Sequence, residues 1–322
     1  MFKAFCAVAL TIGLCNPGVA AAGADYPSKP IKMYIGFSAG SATDIVGRVV
    51  ADALGKKLGQ PIVVENKVGA GGSLAAQETA KSASDGYTLL TVSSAIAVNP
   101  AVYKSADAVL AGLESVSMIG YLPTVLMASE KMPVTTMKEF LDYAKKHPGE
   151  VNFGSSGIGG STHMAMEAFS SITGVKLTHI PYKGNSQASA ALLGNQIDAM
   201  METLLLAAPV INNNRAKGLA ISGDKRSTLI PNVPTFAEAG VPEYNRSLFF
   251  GVMAPAGMPS ELVQRLNQEI NTVLRDPAVQ QRLIQTGGLT LANLSAQEFK
   301  NTLNEEVAMW KRVAREAGIE AQ

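Results

Sequence analysis

The stretch Ile31-Lys32-Met33-Tyr34-Ile35-Gly36-Phe37 runs straight into Ser38-Ala39-Gly40-Ser41-Ala42-Thr43-Asp44, and an apolar-periodic run continues to about Leu58. The first part reads as a strand, the small residues as a tight loop, and the remainder as a helix. Strand, loop and helix in this order form the repeating unit of an α/β fold. Working outward, the same grammar recurs. Pro61 to Glu65 reads as a strand, Val68-Gly69-Ala70-Gly71-Gly72 as a loop that opens a helix near Ser73, and Tyr87 to Val92 as a third strand after the turn Asp85-Gly86.

A second series follows further along. Thr136 to Glu139 has the pattern of a capping box, with Met137, Phe140, Leu141 and Ala144 on one helical face. Val151 to Gly154, Lys176 to Ile180, Ile197 to Met201 and Gly218 to Ile221 read as strands, separated by helices from about Ser161 and from Ser186 to Leu193. After one more strand, Phe249 to Ala254, the chain reads as helical. Leu262, Val263, Leu266, Ile270 and Val273 keep helical spacing, and Ser295 to Glu298 is a second capping box. It opens a helix whose stripe is Phe299, Leu303, Val307, Trp310, Ala314 and Ala317, so Trp310 is a packing residue. Two series joined by a bridging strand predict two lobes with mostly parallel sheets, and the last helices are expected to return to the first lobe. The expected division is 1–24 as a signal peptide, 25–122 as the first part of lobe one, 123–246 as lobe two, and 247–322 as the return.

The export reading rests on the N-terminus. Lys3 precedes an uncharged, mostly apolar run from Ala4 to Cys15, and small residues follow through Ala24. Cys6 and Cys15, the only cysteines, both lie in this segment, so the mature chain is expected to hold no disulfide. Leu14 stands where a lipobox would need a small residue before Cys15. Without Lys3, the 27 basic residues become 26 against 26 acidic ones. No basic cluster points to nucleic acid, and low aromatic content argues against sugar stacking.

Two loops share one construction. Phe37 to Asp44 and Phe153 to His163 both carry Gly, Ser and Thr between a strand and a helix. Small side chains let the backbone approach a ligand, and free N–H groups at a helix start favour an anion. Plain capping explains the same residues, Asp44 and Thr162 included. For Lys67 to Gly72 a tight turn and close helix–sheet packing is the preferred reading. Enzyme motifs fail on inspection: the Gly69 loop ends in Leu74 where a dinucleotide fingerprint needs a small residue, and Gly154-Ser155-Ser156-Gly157 is no nucleophile elbow. His147, His163 and His179 are too scattered for metal-ligand spacing. No cofactor is expected. His163 alone lies near a candidate loop, either polarising a ligand or packing.

Several runs together carry a family resemblance. They are Tyr26-Pro27-Ser28-Lys29-Pro30-Ile31, Gly40-Ser41-Ala42-Thr43-Asp44, Val64 to Gly72, Asp85 to Leu90, Tyr182-Lys183-Gly184, Gly194-Asn195-Gln196-Ile197-Asp198, Pro231 to Thr235 and Ala254 to Pro259. In their order and spacing the chain resembles the Bug family, extracytoplasmic substrate-binding receptors of tripartite tricarboxylate transporters, along essentially its whole mature length. The resemblance implies a type II periplasmic-binding-protein fold, two α/β lobes closing like a flytrap on a small carboxylate without performing chemistry. It implies ligand carboxylates held by backbone amides, hydroxyls and trapped water. Carried over residue by residue, Phe37, Ser38, Ala39, Gly40, Thr43 and Asp44 would line the first lobe's side. Ser155, Ser156, Gly159, Ser161, Thr162 and His163 would line the second, with Tyr182 and Asp198 on bordering loops. Asp198 would repel a carboxylate unless protonated or turned away. Where the family often has Pro-Pro-Gly-Gly, this chain has Ser38-Ala39-Gly40-Ser41, a departure that points to a different ligand, such as an aromatic carboxylate. The implied partners are the integral membrane permease subunits of such a transporter, the location is the periplasm, and the chain is expected to act as a monomer. Two alternatives are a ligand-dependent partner of a membrane sensor and a secreted isomerase or lyase.

Overall fold

The computed structural model describes residues 26–285, 287–316 and 321; the segment expected to be a signal peptide and Ala317 lie outside the described residues. The chain opens with β1 (Ile31–Ile35), α1 (Ala42–Leu58), β2 (Ile62–Asn66), α2 (Ser73–Ala80), β3 (Thr88–Ser93), α3 (Ala95–Val102), α4 (Ala106–Ala111) and β4 (Leu113–Leu122). It continues with β5 (Thr124–Ala128), α5 (Met137–Lys146), β6 (Asn152–Ser155), α6 (Ser161–Thr173), β7 (Thr178–Pro181), α7 (Asn185–Leu193), β8 (Ala199–Thr203), α8 (Leu204–Asn212) and β9 (Lys217–Ile221). The last part holds β10 (Leu248–Pro255), α9 (Ser260–Val273), α10 (Pro277–Gln280), β11 (Thr290–Leu291) and α11 (Ala296–Glu316).

These elements build two lobes, each a sheet flanked by helices. One sheet has the order β11-β4-β10-β3-β1-β2 and the other β7-β6-β8-β5-β9. Both are mixed: β1, β2, β3 and β4 run one way in the first and β6, β7, β8 and β9 in the second, as the expectation of mostly parallel sheets has it, while β10, β11 and β5 run against them. Strand direction explains the mixture. β1 is parallel to β2 and β3, while β10 runs antiparallel between β3 and β4. In the other sheet β6 is parallel to β7 and β8, while β5 runs antiparallel between β8 and β9. β5 and β10 are the strands by which the chain enters each sheet from the other. An entering strand starts at the junction and runs away from it, opposite to strands that run towards it. The neighbours therefore point their C-terminal ends at the cleft, where α/β folds hold ligands.

The two crossings are tied to each other. Thr124 N donates to Ser222 Oγ at 2.8 Å, Ser222 N donates to Thr124 O at 2.8 Å, and Thr124 Oγ1 donates to Arg246 O at 2.8 Å. Trp310 braces the second crossing from α11, with the Arg246 guanidinium 5.4 Å from its ring centre. Both capping boxes form. Thr136 Oγ1 accepts from Glu139 N at 3.2 Å while Glu139 accepts from Thr136 N at 3.2 Å. Ser295 and Glu298 exchange the same two bonds at 3.2 and 2.8 Å. Phe299, Leu303, Trp310 and Ala314 are buried along α11, as their spacing predicts.

Candidate functional site

The loop after β1 is braced by hydrogen bonds among its own polar atoms and those of its neighbours. Ser41 caps α1 by accepting from Asp44 N at 3.2 Å. Asp44 then accepts from Gly40 N at 3.0 Å, Arg48 Nε at 2.9 Å and Asn66 Nδ2 at 2.8 Å. Asn66 Nδ2 also reaches Phe37 O at 2.8 Å. Asp44 thus braces the loop that presents Phe37 and Thr43. The loop after β6 is built alike. Thr162 Oγ1 accepts from Ser156 N at 3.1 Å and donates to Asn185 Oδ1 at 2.7 Å, joining the starts of α6 and α7.

Four helix starts meet at one cavity between the lobes. It is lined by Ser41, Ala42 and Thr43 of α1, Ser161 and Thr162 of α6, Asn185 of α7, and Glu202 and Thr203 before α8. Phe37, Ser93, Ser156, Leu248 and Phe250 complete the wall. Its lining holds no Lys or Arg. Its volume is about 20 Å³, roughly the space of one water, so a carboxylic acid enters only if the lobes part. They touch across the cleft at Ser38 Oγ and Ser186 Oγ, 3.1 Å apart, and where Tyr103 Oη donates to Ile158 O at 2.7 Å. An outer groove of about 500 Å³ leads inward past Phe37, Ala70, Tyr103, Ser156, Ile158 and Tyr182. The Gly69–Gly72 turn forms one side of this groove. A Cβ on Gly36 would fall 2.5 Å from Gly72 Cα, the close packing expected there, and a Cβ on Gly71 would lie 3.0 Å from the Gly159 carbonyl of the other lobe.

The residues singled out by sequence separate into groups. Phe37, Thr43, Ser156, Ser161 and Thr162 are brought together on the cavity wall. Ser38, Gly159 and Tyr182 stand where the lobes approach each other or along the groove. Ala39 and Gly40 are exposed. Ser155 and His163 lie behind the wall: Ser155 Oγ is 2.6 Å from His179 Nε2, and the His163 ring stacks on His179 at 4.0 Å. Asp198 accepts from Asn152 N at 2.8 Å at the opposite end of β8 from Thr203, roughly 16 Å away at about 3.3 Å per strand residue. Ser93, Asn185, Glu202, Thr203, Leu248 and Phe250 join the wall without having been read from the sequence. Only Glu202 left a signal, an acid inside the apolar strand Ala199-Met200-Met201-Glu202-Thr203.

Two titratable groups matter electrostatically. Burial, and then the neighbouring His163, press His179 down to about 3. It is a poor base, and its Ser155 partner is fully buried, so the pair packs rather than reacts. Glu202 is also fully buried. Its Oε1 accepts from Asn185 Nδ2 at 3.0 Å, Thr203 N at 2.6 Å and Thr203 Oγ1 at 3.1 Å. Burial outweighs those bonds and pushes the carboxyl up to about 7. Among the described residues no group of His, Cys, Asp and Glu is arranged to hold a metal ion.

Residues 46–319 match the model of the tripartite tricarboxylate transporter family receptor. Protein BugT of Bordetella pertussis is 38% identical over 312 residues, covering 95% of each chain. The solved periplasmic binding protein BugD superposes with a TM-score of 0.87 at 30% identity, over 92% of this chain and 100% of its own. An R. palustris protein solved with adipate gives the same values: 0.87, 30%, 92% and 100%.

Proposed function

The chain belongs to the tripartite tricarboxylate transporter receptor family, and from that premise we propose that it captures a small carboxylate between its lobes and delivers it to integral membrane permease subunits from the periplasm. The observation that carries this reading is the convergence of four helix starts on one cavity whose lining has no Lys or Arg. Each start offers N–H groups and the positive end of a helix dipole. Hydroxyls of Ser41, Thr43 and Ser161 line the same space and supply neutral donors. Such a site stabilises an anion without a counter-cation and releases it when the lobes part. The adipate held by the R. palustris relative is a carboxylate of the expected class. We take 25–122 with 247–322 as one lobe, 123–246 as the other, and 1–24 as the export signal. The Ser38-Ala39-Gly40-Ser41 loop and the Phe37 and Phe250 rings favour a partly apolar ligand, an aromatic carboxylate among them.

The test is thermal unfolding of ligand-stripped protein against aliphatic and aromatic mono-, di- and tricarboxylates, with neutral sugars and amines in the same panel. A ligand at about 1,000 times its Kd adds about 4 kcal/mol, several degrees in Tm. A shift confined to carboxylates is expected. A panel in which only sugars or amines raise Tm would overturn the reading.

A further inference from the structure

We infer that Glu202 is a ligand-contacting acid whose Oε2–H donates to the bound carboxylate, so that the protein takes up a proton as it takes up its ligand. The inference rests on the carboxylate-receptor reading above and deepens it. Its basis is the geometry of the cavity. Glu202 lines it, is wholly buried, and uses only one of its two oxygens. Oε1 receives all three donors from Asn185 and Thr203, which makes it the acceptor end of the carboxyl group. Oε2 has no partner, and neither has Ser93 Oγ, another polar atom of the same wall, contributed by β3. A buried polar atom left without a partner is costly unless something arrives to satisfy it.

The surroundings leave the proton on Glu202. β5, β6, α7 and α8 carry no titratable side chain, and β8 carries no other. On α6 the nearest groups, His163 and Glu167, face each other at 3.5 Å. At the cleft end of α1, Asp44 and Arg48 are paired at 2.9 Å. Lys183 stands on the outer groove and is exposed, so among the described residues no cation lines the cavity to hold Glu202 ionised beside an incoming anion. Two carboxylates in one buried site share a proton rather than both ionise, and an O–H···O⁻ bond between them is short and strong. The ligand raises the affinity of Glu202 for its proton above the already raised value of the free protein. Below that free value both states are protonated and binding is insensitive to pH. Above it the proton must be taken from solvent, and affinity falls as pH rises, by up to about tenfold per unit.

The experiment is titration calorimetry of the mature protein with adipate, succinate, citrate and benzoate, at roughly pH 7 and pH 9, where these acids are ionised. Each titration is run in two buffers of different ionisation enthalpy. For the best-binding acid, weakening of at least about tenfold across this range and uptake of close to one proton at the upper pH are expected. Glu202→Gln keeps an acceptor for Asn185 and Thr203 and a permanent donor at the Oε2 position. Its affinity should be independent of pH, so that at roughly pH 9 it binds at least about tenfold more tightly than the wild type. Wild-type binding without proton uptake overturns the inference and leaves the receptor reading intact. Affinity that rises with pH also overturns it, by showing an ionised Glu202 accepting from a ligand donor. No binding by any acid overturns the receptor reading and this inference together. The wild-type buffer comparison stands even if the variant fails to fold.

Discussion

A carboxyl group buried away from bulk solvent, with no cation lining its cavity, makes its ionised form costly, and at Glu202 that cost falls on the fold. Its proton is held more tightly in the folded chain, at about 7 against an ordinary 4.5. The stabilisation is therefore fully present below the unfolded value and is lost as pH rises through the folded one. Unfolding by denaturant at roughly pH 4.5 and pH 8 should show a loss of up to about 3 kcal/mol from this group. Glu202→Gln should remove that loss, and an unchanged pH slope in the variant would assign it elsewhere. Other residues act through the ligand. Ser161 lines the cavity at the start of α6, so Ser161→Ala should weaken carboxylate binding by about 1 kcal/mol, roughly fivefold, with Tm of the ligand-free protein unchanged. Thr162→Ala should weaken binding and also lower the Tm of the ligand-free protein, because Thr162 ties Ser156 to Asn185.

Elements were legible where they had a period or a punctuation mark. α5 announced itself by a capping box and an apolar face, and its buried residues are Met137, Phe140 and Ala144. None of them lines the cleft. Thr136→Ala should cost about 1 kcal/mol, a few degrees in Tm, and leave calorimetric ligand affinity as it was. The elements without a sequence reading lacked such marks. β4 and β5 are buried along nearly their whole length, so no alternation survives, as is usual for strands covered on both faces. α3 and α8 contain Pro100 and Pro209, which argue locally against a helix. Their packing overrides that preference: every residue of α3 is buried.

At the scale of the whole molecule, the proposed capture of a ligand depends on the lobes meeting. Gly184 stands at the start of α7 with extended backbone that any residue adopts, yet a Cβ there would overlap Ser38 Oγ of the other lobe. Gly184→Val should therefore fold normally and oppose closure. Ligand affinity should drop at least about tenfold, because a ligand stabilises the closed state only through contacts both lobes make. Small-angle scattering of the variant should show no compaction at ligand concentrations that compact the wild type. Full compaction at unchanged affinity would mean that the Ser38–Ser186 contact is no part of closure.

Sequence alone determined the α/β class, the recurring strand–loop–helix unit, the two loops rich in Gly, Ser and Thr, both capping boxes and the buried stripe of α11. Each of these is a local signal, written in spacing and in residues that suit particular backbone conformations. Tertiary structure decided what those loops face. Ser155 and Ser156 are adjacent and alike in composition, but Ser155 turns to His179 while Ser156 lines the cavity. Phe37, Ser93, Thr162, Asn185, Glu202 and Phe250 share one wall only because the chain crosses between the sheets twice. The crossing strands also reverse direction within each sheet. No periodicity encodes such a meeting, since it depends on which strand ends the crossings bring to the cleft.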